Sequence, residues 1–186
     1  MSSIRLPSEP LRDGPTALRA WRQTDVAGLV AACRDPEITR WTQAPENYGE
    51  NDARAYLLAR LDAAQAGVAA PFAVVSAGDD RVLLGSVSLL RVDRRNARGE
   101  IGYWLAAEAR GQGHATRAVR LACEWGEVGL GLERIVLLAA TGNLASQRVA
   151  DRCGFAREAL LRSYMRSRDG RQDMICYGRL AAGGAY

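Results

Sequence analysis

Arg110-Gly111-Gln112-Gly113-His114-Ala115-Thr116 is the stretch whose reading decides the fold. It lies between a strand-like run, Glu100 to Leu105, and a strongly helical run, His114 to Glu127. Glycine-dense backbone opening directly into a helix leaves several N–H groups without intrahelical acceptors, with the positive end of the helix dipole behind them. That is a cradle for an anion such as phosphate or pyrophosphate.

Downstream, Ala115, Ala118, Val119, Ala122 and Trp125 recur at helical spacing and predict one buried face, with Arg120 and Glu124 paired across the other. Ile135 to Ala139 is a continuous apolar run, expected of a strand covered on both faces. Strand, loop, helix and strand make one βαβ unit with parallel strands and a right-handed crossover. The loop then falls at the carboxyl end of the first strand, where open α/β sheets bind ligands. Asn143 is a good N-cap for a short helix ending at Cys153, and Gly154 suits the left-handed position after it. Strand-like segments around Phe155 to Met165 and Gln172 to Leu180 follow.

Upstream, residues 1–15 read as an irregular lead-in and Thr16 to Trp21 as a first strand. Thr24 is placed to cap a helix from Asp25 to about Arg34, which Asp35-Pro36 interrupts. Glu37 to Gly49 reads as an ordered loop, and about Asn51 to Ala66 as a second helix. Phe72 to Ser76 and Val82 to Arg91 form a strand pair across the turn Gly78-Asp79-Asp80. The whole is expected to be one domain, residues 16–180, with a frayed tail at 181–186.

At 186 residues and 48% hydrophobic content the chain can bury a sizeable core. No apolar run reaches the ~18 residues of a membrane span, so no membrane partner is expected and the cytoplasm is the expected location. Cys33, Cys123, Cys153 and Cys176 are scattered and read as reduced thiols. Every one of the 25 basic residues is Arg, and the net charge of +4 is modest. Arg157, Arg162, Arg166, Arg168 and Arg171 form a basic patch that reads first as solvated surface, so no nucleic-acid partner is expected. His114 is the one histidine. With no obvious Ser partner for it, and no set of metal ligands around it, a Ser-His-Asp triad and a His-based metal site are both set aside.

Three phosphate-loop chemistries compete. A Walker loop needs lysine, which the chain lacks. A dinucleotide fingerprint needs G-x-G-x-x-G, and Gly111-Gln112-Gly113-His114-Ala115-Thr116 ends without its third glycine. The third pattern, Arg-x-x-Gly-x-Ala, is met by Arg110, Gly113 and Ala115. On these residues the chain resembles the GNAT acetyltransferase superfamily. Glu100-Ile101-Gly102-Tyr103-Trp104-Leu105, Asn143-Leu144-Ala145-Ser146, Cys153-Gly154-Phe155 and Gly170 to Tyr177 resemble its ribosomal-protein N-terminal acetyltransferase (RimJ/RimL-like) branch. Leu18-Arg19, Asp25 and the Asp35-Pro36 break do so too, from about Thr16 to Leu180.

The resemblance implies an α/β (α+β) GNAT fold, a mixed sheet of about seven strands flanked by helices, whose splayed fourth and fifth strands hold CoA. Trp104 and Leu105 would supply backbone contacts to the pantetheine arm of acetyl-CoA. The N–H groups of Gly111, Gln112, Gly113, His114, Ala115 and Thr116 would hold its pyrophosphate. Arg110 either meets phosphate or caps the preceding loop; Asn143 caps its helix, contacts cofactor, or both. Glu100 is implied as the base and Ser146 as proton donor to the departing thiolate, with Tyr103, Tyr164 and Tyr177 as alternative donors. The competing readings are a surface carboxylate pairing with Arg98 or a neighbouring Arg, and a plain helix-terminal hydroxyl. Cys153 reads as a buried helix end, so direct attack by the amine in a ternary complex is expected. No metal is implied.

Asp35, Glu37, Trp41, Glu46 and Tyr48 fall where the branch forms its acceptor site, or else in an ordinary packed loop. A free N-terminus near pKa 8 is roughly a tenth neutral at pH 7, against less than about 0.1% for lysine, which favours an α-amine. The resemblance implies a primary amine as acceptor, either a protein N-terminus or a small molecule such as a polyamine or aminoglycoside, and a homodimer is left open. A larger acyl group, a CoA-binding regulatory protein of the same fold, and a dinucleotide-binding protein are the alternatives.

Overall fold

Eight extended segments build one mixed sheet in this computed structural model, which describes residues 2–42, 44–167 and 170–181. The strands are β1 (Leu11–Asp13), β2 (Thr16–Arg19), β3 (Ala70–Ser76), β4 (Leu83–Asp93), β5 (Arg98–Leu105), β6 (Arg134–Ala140), β7 (Ala156–Ser167) and β8 (Gly170–Leu180). Their spatial order is β1-β2-β3-β4-β5-β6-β8-β7. Only β5 and β6 run parallel. Helices α1 (Val26–Cys33), α2 (Pro36–Trp41) and α3 (Glu50–Gln65) lie on one face, and α4 (His114–Leu130) and α5 (Leu144–Arg152) on the other.

The faces follow from alternation. Phe72 and Val74 of β3 join Val87, Leu89 and Ile101 under Ala118, Val119 and Ala122 of α4. Ala73 and Val75 turn the other way, and Trp104 packs with Ala106 among Leu29, Val30 and Leu57 of α1 and α3. The expected βαβ unit forms, with β5 and β6 bridged by α4. α5 is capped as read: Asn143 Oδ1 accepts the Ser146 N–H at 3.0 Å. Gly154 sits at φ +76, and the Phe155 N–H returns to the Ala150 carbonyl at 3.1 Å.

Four details differ from the expectation. The sheet has eight strands because Leu11–Asp13, within the supposed lead-in, pairs with β2; the parallel pair is therefore fifth and sixth. Ile4 of that lead-in is buried and its N–H bonds the Ala64 carbonyl at 2.8 Å. Pro36–Trp41 is a helix rather than loop, since Asp35 caps it through the Glu37 N–H at 2.9 Å and proline suits the first turn. The first helix begins at Val26 after a 3-10 turn at Gln23–Asp25, so Thr24 is not its cap. The expected frayed tail lies outside the described residues beyond Ala181.

Candidate active site

β5 and β6 are in register from Arg98↔Arg134 to Ile101↔Leu137 and no further. Beyond that point β5 continues against β4 to Leu105, and β6 against β8 to Ala140. The two parallel strands have parted, leaving a wedge between their carboxyl ends. The Ala106 N–H bonds the Leu84 carbonyl of β4 at 2.9 Å. Backbone groups alternate sides along an antiparallel strand, so Trp104 also faces β4 while Tyr103 and Leu105 face the wedge. Of the two residues expected to contact the pantetheine arm, Leu105 turns its backbone to the wedge, where Arg110 holds its carbonyl, and Trp104 turns its own to β4, with Tyr103 on the wedge side.

The glycine loop closes the wedge at the α4 N-terminus. Gly113 is the N-cap at φ +81, and the helix starts with the Arg117 N–H on the Gly113 carbonyl at 3.2 Å. The N–H groups of His114, Ala115 and Thr116 therefore point out of the first turn toward the loop's concave side. Gln112 anchors the loop through Nε2 to the Glu108 carbonyl at 2.6 Å, and Arg117 Nη1 donates to the Gln112 carbonyl at 3.1 Å. Sequence reading missed Arg117; its signal is a cation four residues after the cap glycine. A methyl at Gly113 would stand 2.7 Å from Arg117 Nη1. Gly113→Ala is expected to cost about 1–2 kcal/mol in the left-handed region and to raise the acetyl-CoA dissociation constant by roughly tenfold, checked by calorimetry; unchanged affinity would remove the loop from the site.

Arg110 does not point at the loop's anion side. Its guanidinium donates to the Leu105 carbonyl at 2.9 Å and pairs with Asp35 Oδ2 at 2.5 Å, tying α2 to the end of β5. His114 is buried, with Nδ1 bonded to Thr16 Oγ1 at 2.8 Å, and its pKa is lowered by burial and then by Arg117. Its side chain pins α4 to β2, leaving its backbone N–H for the cradle.

Residues 100 and 103 lie on opposite faces of β5 by alternation. On the α5 side, the Tyr103 hydroxyl donates to Ser146 Oγ at 3.2 Å, and burial pushes the Tyr103 phenol up to about 12. Tyr164 and Tyr177 make no such bond; Tyr164 is exposed on β7 and Tyr177 is buried under the sheet. On the other face Glu100 is one-fifth exposed and pairs with Arg91, not with Arg98, which bonds Asp93 at 3.3 Å. Cys153 is buried, donates to the Thr116 carbonyl at 3.4 Å, and has its thiol raised by burial to about 11, which keeps it protonated.

The residues proposed for the acceptor divide. Glu37 accepts from Trp41 Nε1 at 3.0 Å and from Arg40 at 3.4 Å, and Trp41 reaches the β6–α5 turn beside Gly142. Asp35 is engaged by Arg110, and Tyr48 is buried with its hydroxyl raised by burial, while Glu46 and Arg34 line one surface hollow. Arg157, Arg162, Arg166 and Arg171 are exposed on the β7–β8 hairpin, two strands beyond the wedge; Arg168 is outside the described residues.

A splayed parallel pair ending at a glycine-built helix N-terminus has a match in known sequences: residues 16–156 fit the Acetyltransferase (GNAT) domain. The chain belongs to the GNAT family. The chain is similar to "Putative ribosomal N-acetyltransferase YdaF" of Bacillus subtilis (strain 168), 36% identical over 101 residues, 54% of this chain and 55% of that protein. It thus spans about half the length of that relative. Its similarity to the ribosomal-protein-serine acetyltransferase of Escherichia coli (strain K12) is 28% over 145 residues, covering 75% and 79% of the two chains. The structure of Mycobacterium smegmatis RimJ in complex with CoA-disulfide aligns with a TM-score of 0.83 at 23% identity, over 93% of this chain and 86% of that one. That likeness concerns the fold. Among the described residues of this GNAT domain, no helix is long and apolar enough to cross a membrane.

Proposed function

We propose that the chain transfers an acetyl group from acetyl-CoA to a primary amine, with a peptide α-amine as the preferred acceptor. The observation that carries this reading is the wedge between β5 and β6, whose end meets the Gly111–Thr116 cradle. Acetyl-CoA supplies an activated thioester. The chain's backbone at Tyr103 and Leu105 orients the pantetheine arm, and the N–H groups of the α4 first turn hold the pyrophosphate.

The amine enters from the α2 side and its nitrogen attacks the thioester carbonyl carbon. Glu100, on that face, takes the amine proton directly or through water. The carbon–sulfur bond breaks, and the thiolate leaves toward the α5 face. There Ser146 Oγ accepts from Tyr103, so its own hydrogen is left to donate to sulfur. The raised phenol of Tyr103 keeps that chain supplied with a donor at neutral pH. Free peptide α-amines suit one carboxylate base, because a useful fraction is already neutral at pH 7.

Ser146→Ala is expected to lower kcat about 100-fold, and Tyr103→Phe about tenfold. The double variant should match Ser146→Ala alone, since the phenol acts through the serine; additive losses would separate the two groups. The reading as a whole is tested by thiol release from acetyl-CoA across Ala-, Ser- and Met-initiated peptides, polyamines and aminoglycosides. Binding of acetyl-CoA with no thiol release for any amine would overturn it in favour of a regulatory CoA-binding protein.

A further inference from the structure

β4 and β5 pair in register through Leu90↔Glu100, then resume at Asp93↔Arg98. Two residues of β4, Arg91 and Val92, oppose Gly99 alone, which makes a β-bulge two residues before β5 and β6 part. Arg91 is one of three non-glycine residues in the left-handed region among those described, at φ +49. Strict alternation after Leu90 would send its side chain to the face away from Glu100. The left-handed turn returns it, and the guanidinium meets Glu100 Oε2. Val92 meanwhile stays in the core, with its N–H on the Val68 carbonyl at 3.0 Å. The distortion therefore exchanges two faces: Val92 takes the core face of Leu89 and Ile101 that strict alternation would give Arg91, and Arg91 is re-aimed onto the face of Glu100.

Glu100 has apolar neighbours on both sides. Directly opposite Glu100 are Leu90 on β4 and Val136 on β6. Farther along are Cys176 of β8 and the ion pair between Arg134 of β6 and Glu158 of β7. Arg91 is itself 69% exposed at the side chain, so it stands on the solvent side of Glu100.

We propose that Arg91 is a positioning residue that sets acceptor specificity, favouring the singly charged α-amine of a peptide over polyamines. The proposal rests on Glu100 serving as the base. A bare carboxylate would draw in any ammonium, and a polycation most strongly. With Arg91 in place the pair is neutral overall, and an approaching polycation meets a like charge first.

The test compares kcat/KM for spermidine and for a Ser-initiated peptide in wild type, Arg91→Gly, Arg91→Gln and Arg91→Lys. Arg91→Gly and Arg91→Gln are expected to raise the spermidine-to-peptide ratio by about fivefold, the worth of an exposed charge pair. The change should lie mainly in KM for spermidine and shrink at high salt. Arg91→Lys should restore the wild-type ratio. Glycine fits φ +49 without strain, so Arg91→Gly should melt no lower than wild type and still show the altered ratio. A ratio unchanged in Arg91→Gly, with Glu100→Gln inactive, overturns the role of Arg91 and leaves the base reading standing. Full activity of Glu100→Gln overturns both.

Discussion

Glu100→Gln is expected to lower kcat by about 100- to 1,000-fold at pH 7, the usual worth of a positioned base. The substitution keeps the side chain's size and a hydrogen-bonding partner for Arg91, so the wall of the wedge should hold. KM for acetyl-CoA should stay within about twofold, because the expected cofactor contacts lie on the α4 loop and on backbone. The residual rate should climb about tenfold per pH unit until the amine's own pKa near 8, since the acceptor must then shed its proton unaided. A flat pH profile at near wild-type rate would remove Glu100 from the chemistry. Steady-state thiol release at pH 6 to 9 decides between these outcomes.

Arg19→Ala is expected to carry the largest cost in stability, about 3–5 kcal/mol, because it strands a buried charge. Arg19 and Asp25 are 4% and 3% exposed at the side chain and paired at 2.7 Å. Both terminal nitrogens of Arg19 grip the carboxylate, at 2.8 and 2.7 Å. The guanidinium also donates to the carbonyls of Ala20, at 3.0 Å, and Asp80, at 2.7 Å. Asp25 in turn accepts the Arg22 N–H at 2.8 Å, which holds the 3-10 turn ahead of α1. For a chain of this size each kcal/mol moves the melting temperature by roughly 2–4 °C, so a fall of about 10 °C should appear in a thermal melt. Arg19→Met combined with Asp25→Leu should recover most of it, since replacing both charges leaves none unpaired. A melting temperature within about 2 °C of wild type for Arg19→Ala would make the pair dispensable.

The second half of the fold was legible because its signals are local. The glycines at 111 and 113, the Asn143 cap and Gly154 each act within a few residues, and the helical stripe from Ala115 to Trp125 reports its own buried face. The first half was less legible. β1 is three residues long and exists only because β2 lies beside it. α2 is six residues, too short to show periodicity, so its cap at Asp35 and the proline after it were the available signals. The candidate site divides in the same way. The Gly111–Thr116 loop could be read along the chain, but the partners of its side chains could not. Arg110 turned to Asp35, and His114 to Thr16, across separations that no spacing rule covers.

What the sequence determined by itself was the family, the βαβ unit and the glycine-built start of α4, because backbone conformation and helix termini are set by neighbouring residues. What only the tertiary structure decided was where β5 and β6 part, and which groups then face the gap. The parting after Ile101↔Leu137 depends on β4 and β8 each holding its own strand. The opposition of Glu100 and the Tyr103–Ser146 pair across one strand, and the bulge that turns Arg91 onto Glu100, depend on pairing register. Register is a property of two strands at once, and no single segment of the chain carries it.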